Sequence, residues 1–302
     1  VNRAFLAVLL GTLILLLLAS GAIVLLRRLR PSVNCDELSR RVKTWWIIAP
    51  LFLLALVPGR VVTLAFFALV SFLALREYLS LIPTRRADRR VLLYAYASIP
   101  LQFAWVQSDR YGMFAIFIPV YMFLLIPLRM VITGDTDGFL AAVGTLYWGL
   151  MTTVYCLSHV GALLLLPHGG VSLVLYVVVL TQWNDVMQYI WGRSLGHSKV
   201  IPSVSPGKTW AGLIGGICST IALSIALAPF LTPLTRRESM LAGALIGLGG
   251  FLGDVTVSAV KRDLNHKDTG AMLPGHGGIL DRIDSFIYTA PLFFHMVRYL
   301  HF

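Results

Sequence analysis

The sequence predicts an all-α, polytopic integral membrane protein with about ten transmembrane helices. Three observations carry that prediction: the scarcity of charge, the length of the apolar blocks, and the uneven placement of lysine and arginine. Of 302 residues, 57% are hydrophobic and 13% charged, about half the ~25% charge of an ordinary soluble domain. Phe5 to Leu26 carries no charge at all and is long enough to cross a ~30 Å hydrocarbon layer as a helix. It reads as a retained membrane helix rather than a cleaved secretory signal. The apolar run is too long for a signal, and the basic cluster Arg27-Arg28-Leu29-Arg30 follows it instead of preceding it.

Sparsely charged blocks recur at 45–59, 61–75, 91–107, 112–128, 139–166, 171–190, 211–231, 240–260 and 285–300. With the first span they make ten candidate helices. Pro58-Gly59 reads as a tight turn between the second and third, and both of those are short enough to be re-entrant. If the loop 27–44 is cytoplasmic and the chain alternates from there, 19 of the 25 lysines and arginines fall on the cytoplasmic side and 6 on the other. That is the sign of the positive-inside rule; it puts both termini outside and the loops before spans eight and ten inside. The division expected is a membrane-helix region over 1–170 and a C-terminal region over 171–302 that carries the chemistry.

The net charge of +11 is spread over short loops, which fits contact with anionic lipid headgroups and argues against nucleic acid as a partner. Cys35, Cys156 and Cys218 are far apart and odd in number, so neither a disulfide framework nor a zinc site is expected.

The informative residues are polar ones at membrane depth. Asp185 and Asp254 each fall in or at the edge of an apolar span, where a carboxylate is costly and faces a partner, a cavity or an ion. The densest polar stretch runs from Ser258 to Ser285. If the ninth helix continues into it, Asp254, Ser258, Lys261 and Arg262 share a face at i, i+4, i+7 and i+8. Asp281 and Asp284, three apart at the start of the tenth helix, share another. Converging carboxylates suit a hard cation such as Mg²⁺, and neighbouring Lys and Arg supply the counter-charge a triphosphate requires. Between them lies Pro274-Gly275-His276-Gly277-Gly278. Its glycines let backbone N–H groups approach a phosphate, and it leads into a helix N-terminus, an anion site. His276 reads equally as proton shuttle, phosphate donor or loop-packing residue. Upstream, Ser205 or Thr209 is placed to cap the eighth helix with Lys208 beside it, and that block is either a capped basic loop or a second set of phosphate ligands.

At these residues the chain resembles the phosphatidate cytidylyltransferase family, the CDP-diacylglycerol synthases. The signature S-x-x-K-R-x4-K-D-x-G-x2-L-P-x-H-G-G-x-x-D-R-x-D is met at Ser258, Lys261, Arg262, Lys267, Asp268, Gly270, Leu273, Pro274, His276, Gly277, Gly278, Asp281, Arg282 and Asp284. Similarity is recognisable over about 181–291. One block departs: family members read S-P-K-K-T-x-E-G where this chain has Gly207 and Ala211.

The resemblance implies transfer of CMP from CTP to phosphatidate, giving CDP-diacylglycerol and pyrophosphate, at the cytoplasmic face of a bacterial inner membrane. It implies Asp254 and Asp281 at a Mg²⁺-centred site, with Asp284 as a further ligand or as the partner of Lys261; a second cation is allowed for. Lys208, Lys261, Arg262 and Arg282 would hold the CTP and lipid phosphates, with Ser205, Ser258, His276, Gly277 and Gly278 as further substrate contacts. Lys267 and Asp268 are either substrate contacts or an ion pair shaping the loop, and Asn184 and Asp185 are expected in the wall facing the lipid headgroup. A homodimer is compatible with the sequence. The altered upstream block keeps open a paralogue with a different membrane phosphate acceptor, and intramembrane acids keep open, more distantly, an ion-coupled transporter.

Overall fold

The computed structural model describes residues 3–29, 36–83, 89–167, 169–266, 269–270 and 277–302. Among them the regular elements are helices: α1 (Arg3–Leu29), α2 (Asp36–Leu56), α3 (Arg60–Leu81), α4 (Val91–Gln107), α5 (Tyr111–Val131), α6 (Phe139–Leu165), α7 (Gly170–Leu195), α8 (Trp210–Leu231), α9 (Arg236–Asp263), the single turn α10 (Leu280–Ile283) and α11 (Phe286–His301). Each apolar block of the sequence corresponds to one helix. Seven of them, α1, α3 and α5 to α9, are long and apolar enough to cross a membrane. Of the others, α2 has 21 residues but only Val42–Leu56 is its apolar part, while α4 has 17 residues and α11 has 16, about 25 Å at 1.5 Å per residue, which is below the ~30 Å of a hydrocarbon core. The turn at Pro58-Gly59 is present, with Gly59 at φ +106°.

Local chemistry explains the irregular helices. α5 loosens into a π turn at Phe117–Met122, around Pro119, which has no N–H to give the carbonyl four residues back. That carbonyl, Ala115 O, accepts instead from Tyr155 Oη at 3.2 Å, and Pro119 O accepts from Tyr147 Oη at 3.2 Å. Both tyrosines come from α6, so the defect in one helix becomes the cross-link to the next. α6 has its own π turn at Met151–Cys156, where Thr152 and Thr153 turn their hydroxyls back onto Gly149 O at 3.2 and 2.8 Å.

The C-terminal helices are joined by buried polar side chains and close backbone approach, the usual means where lipid offers no hydrophobic drive between helices. Asn184 of α7 is fully buried; it donates to Gly247 O of α9 at 3.2 Å and accepts from Thr220 Oγ1 of α8 at 3.2 Å. Thr181 reaches Thr289 of α11 at 3.2 Å. Gly212, in the first turn of α8, has Gln188 O only 2.7 Å from where a Cβ would stand, so glycine lets α8 lie against α7.

Two helix ends decide what reaches the polar end of the bundle. α3 runs to Leu81, six residues beyond the block 61–75, and Tyr78 anchors its end by donating to Thr145 O at 2.8 Å. α9 runs through the KR pair to Asp263, which meets the condition for Asp254, Ser258 and Lys261 to share a face.

Removing the Tyr155 hydroxyl leaves Ala115 O without its donor inside the membrane. Tyr155→Phe is expected to lower stability by about 1 kcal/mol without altering the distant polar site. Denaturation in detergent with a substrate-independent folding probe reads this directly.

Candidate active site

α7 delivers its polar residues at helical spacing. Asp185, Gln188, Tyr189 and Gly192 stand at i, i+3, i+4 and i+7, one face of the helix, and all line a cavity of about 560 Å³. The other walls are Asp254 and Lys261 of α9, the segment Asp281 to Ser285, and the 199–209 loop. Antiparallel pairing holds that loop: Lys199 pairs with Thr209, Val200 N–H donates to Lys208 O at 3.1 Å, and Trp210 N–H donates to Ser198 O at 3.1 Å. Of the two candidate caps, Thr209 is the one used, its Oγ1 accepting from Gly212 N–H at 3.1 Å. Arg193, Lys199, Lys208, Lys261 and Arg282, all assigned to one face by the charge count, meet in this one cavity.

Lys208 turns inward. Its Nζ forms an ion pair with Asp254 Oδ2 and donates to Gln188 Oε1 at 3.1 Å. Burial works against its charge, but Asp254, Asp185 and Asp284 outweigh it and raise the ammonium pKa above the ordinary lysine value. Ser258 donates to Asp254 Oδ1 at 3.2 Å. Ser285 Oγ lies 3.1 and 3.3 Å from the two oxygens of Asp185, and its N–H donates to Asp284 Oδ1 at 2.8 Å. Gly253 makes this convergence possible: a Cβ there would run into Asp284 O, so glycine brings α9, and Asp254 with it, against the start of α11.

The two aspartates of the tenth-helix segment have different surroundings. Asp284 is buried, and burial together with the charges of Asp254 and Asp185 drives its carboxyl well above the usual range. Asp281 is satisfied within the chain. Lys261 Nζ donates to its Oδ1 at 2.7 Å, while Thr269 N–H, Thr269 Oγ1 and Gly278 N–H reach its Oδ2 at 3.0, 2.9 and 3.1 Å. Burial opposes the charge here also, but these donors prevail and hold the Asp281 carboxyl below its ordinary value. Lys261 is thus the partner of Asp281 rather than of Asp284.

A residue the sequence reading passed over completes the arrangement. Glu77, at the end of α3 and 8% exposed, accepts from Ile279 N–H at 2.8 Å, from Leu280 N–H at 3.3 Å and from Thr269 Oγ1. The N–H groups expected to meet a phosphate at this helix start are therefore taken by carboxylates of the chain itself. Gly278 is small for the same reason, because a Cβ would collide with Glu77 Oε1. Gly277 has φ +76°, which glycine adopts freely. The signal for Glu77 was its place two residues beyond an apolar span, a position that also suits a solvated loop acid.

Of the other residues singled out, Ser205 and Arg282 line the cavity, and the Arg282 Nε is buried with no hydrogen-bond partner among the described residues. Arg262 leans outward, its Nε donating to Val204 O at 3.3 Å. Asn184 braces three helices instead of facing the cavity. Lys267, Asp268 and His276 lie outside the described residues. Of the three carboxylates expected at the metal, Asp281 is taken by donors of the chain; Asp254 and Asp284 face the cavity with Asp185 and present oxygens of the kind Mg²⁺ prefers, and a cation would relieve the repulsion on Asp284. Among the described residues no three acidic, imidazole or thiol groups are close enough to hold an ion by themselves, so water or phosphate oxygens would supply the rest of the shell.

Residues 39–300 match the model of the cytidylyltransferase family. The protein YnbB of Escherichia coli (strain K12), described as uncharacterized, is 46% identical over 296 residues, covering 96% of this chain and 97% of its own. The phosphatidate cytidylyltransferase of Bacillus subtilis (strain 168) is 30% identical over 272 residues, 86% of this chain and 98% of its own. That of Haemophilus influenzae is 38% identical over 132 residues, 42% of this chain and 46% of its own.

A buried carboxylate with a raised pKa costs stability above its unfolded titration range, and that cost grows as pH rises through the folded value. Asp284→Asn removes it. In chelator at neutral pH the variant is expected to melt on the order of 2 °C higher than the wild type. The difference closes as pH falls and Asp284 protonates, and added Mg²⁺ stabilises the wild type more than the variant. Thermal denaturation across pH, with and without Mg²⁺, checks all three.

Proposed function

The chain belongs to the cytidylyltransferase family, an enzyme family, and on that premise we propose that it is a membrane nucleotidyltransferase that moves CMP from CTP to phosphatidate, releasing pyrophosphate and forming CDP-diacylglycerol. The observation that carries this reading is the cavity itself, where half-buried Asp185 of α7 and Asp254 of α9 and buried Asp281 and Asp284 stand among Lys208, Lys261 and Arg282. The full-length similarity to the Bacillus subtilis phosphatidate cytidylyltransferase supports the same substrates. A lipid phosphate oxygen attacks the CTP α-phosphorus in line; the new O–Pα bond forms as the bond to the β-phosphate bridging oxygen breaks. The nucleophile is already anionic, so positioning and charge stabilisation carry the rate.

Lys208 and Arg282 are placed to hold phosphate oxygens. Lys261 keeps Asp281 charged and the loop closed, and reaches a phosphate by sharing its remaining donors. Asp254 and Asp284, with Asp185 beside them, would hold Mg²⁺, with room for a second cation. Bound there, the metal would neutralise charge developing on the phosphates. The gathering of basic loop residues at this end supports a bacterial inner membrane with the site facing the cytoplasm, where CTP is found. Phosphatidate is the first acceptor to test. One feature favours a second reading: Gly207 lines the cavity with no atom within 4 Å of where a Cβ would stand, so a cation of the family pattern is replaced by open space. That suits another membrane lipid phosphate with a larger headgroup.

Pyrophosphate release from CTP is expected to require both a short-chain phosphatidate and Mg²⁺. Asp254→Asn should reduce it about 100-fold or more. Turnover without lipid, or undiminished turnover in the variant, would sink the proposal, and a larger lipid phosphate outcompeting phosphatidate would favour the second acceptor.

A further inference from the structure

We propose that Glu77, on a helix of the N-terminal region, is a positioning residue for the reaction: it clamps the Asp281–Asp284 segment in the place where its acids and Arg282 face α9. The inference rests on reading the cavity as the nucleotidyl-transfer site; the clamp itself is read from geometry. A carboxylate near the end of an apolar helix is expensive unless compensated. Among the described residues Glu77 has no ion-pair partner, and its compensation is three donors from one short stretch of the signature: Ile279 N–H, Leu280 N–H and Thr269 Oγ1.

The same stretch is gripped from its other side by Asp281, which takes Thr269 N–H and Gly278 N–H. The Thr269 hydroxyl lies within reach of both carboxylates, Asp281 Oδ2 being at 2.9 Å, and its single proton serves one of them at a time. Glu77 also fills the space over two glycines. A Cβ on Gly270 would stand 3.0 Å from Glu77 Cδ, and one on Gly278 would collide with Oε1. Glu77 is not among the residues that line the cavity. Its effect passes through Asp281, which holds Lys261, and through the backbone that carries Arg282 and Asp284.

The wild type, Glu77→Gln, Glu77→Asp and Thr269→Val are compared in lipid nanodiscs. Pyrophosphate release gives kcat and the KM for CTP, and hydrogen exchange reads the amides of 277–285. Glu77→Gln puts an NH₂ donor where only donors converge. It is expected to lower kcat about 10- to 100-fold with KM for CTP little changed, and to speed exchange at Ile279 and Leu280. Glu77→Asp keeps the charge and recovers part of kcat; Thr269→Val gives a smaller loss of the same kind. Unchanged exchange at Ile279 and Leu280 overturns the clamp. Wild-type kcat in Glu77→Gln, or equal loss of kcat, KM and fold in both Glu77 variants, overturns the positioning role. Should Glu77→Gln not fold, Glu77→Asp and Thr269→Val decide by the same criteria. If the wild type itself shows no lipid-dependent CTP turnover, the proposed function fails while the exchange data still decide the clamp.

Discussion

A carboxylate carried into the apolar part of a membrane protein must be given donors, a cation or a proton, and most of the C-terminal architecture follows from how this chain meets that demand. Among the described residues five acids gather near one end of the bundle, and they are compensated in different ways. Glu77 and Asp281 are saturated with backbone and hydroxyl donors. Asp254 takes Lys208, and Asp185 takes the Ser285 hydroxyl. Asp284 is the one left in surplus, buried beside two like charges. The acids held by donors build the scaffold, and the one left repelling its neighbours is where an external cation would be welcome.

Close backbone approach makes that concentration of charge possible. Gly253 admits the carbonyl of Asp284 and Gly278 admits the carboxylate of Glu77; Gly253 lies just before the polar segment and Gly278 within it, and neither has a side chain to contribute. Small residues in membrane bundles are often read as packing devices. Here they decide which acids can meet. The same economy appears at Pro119, where the acceptor freed by a missing N–H is used to bind α5 to α6.

Much of the site was legible in the chain because its geometry is local. Asp254, Ser258 and Lys261 share a face of one helix, and helical period alone requires that. The pairing of Lys261 with Asp281 instead of Asp284 was not legible, since it depends on where Thr269, Gly278 and Asp281 meet beside α9. Nor was the identity of the anion at the tenth-helix start, because the carboxylate that fills it is 202 residues away in sequence. Gln188 escaped notice for a simpler reason: an amide in an apolar span carries no charge, and only its place on the α7 face and its bond to Lys208 reveal it.

The sequence by itself determined the solvent, the secondary structure and the chemistry. Scarce charge and long apolar blocks dictate a membrane helix bundle, and a run of acids, bases and glycines at signature spacing dictates phosphate chemistry in the last third. Tertiary structure decided the division of labour among those residues. Which aspartate is held by donors and which is left repelling its neighbours depends on contacts between helices distant in the chain. Neither composition nor helical period encodes those contacts, which arise only when the helices pack closely enough for one residue's backbone to satisfy another's side chain.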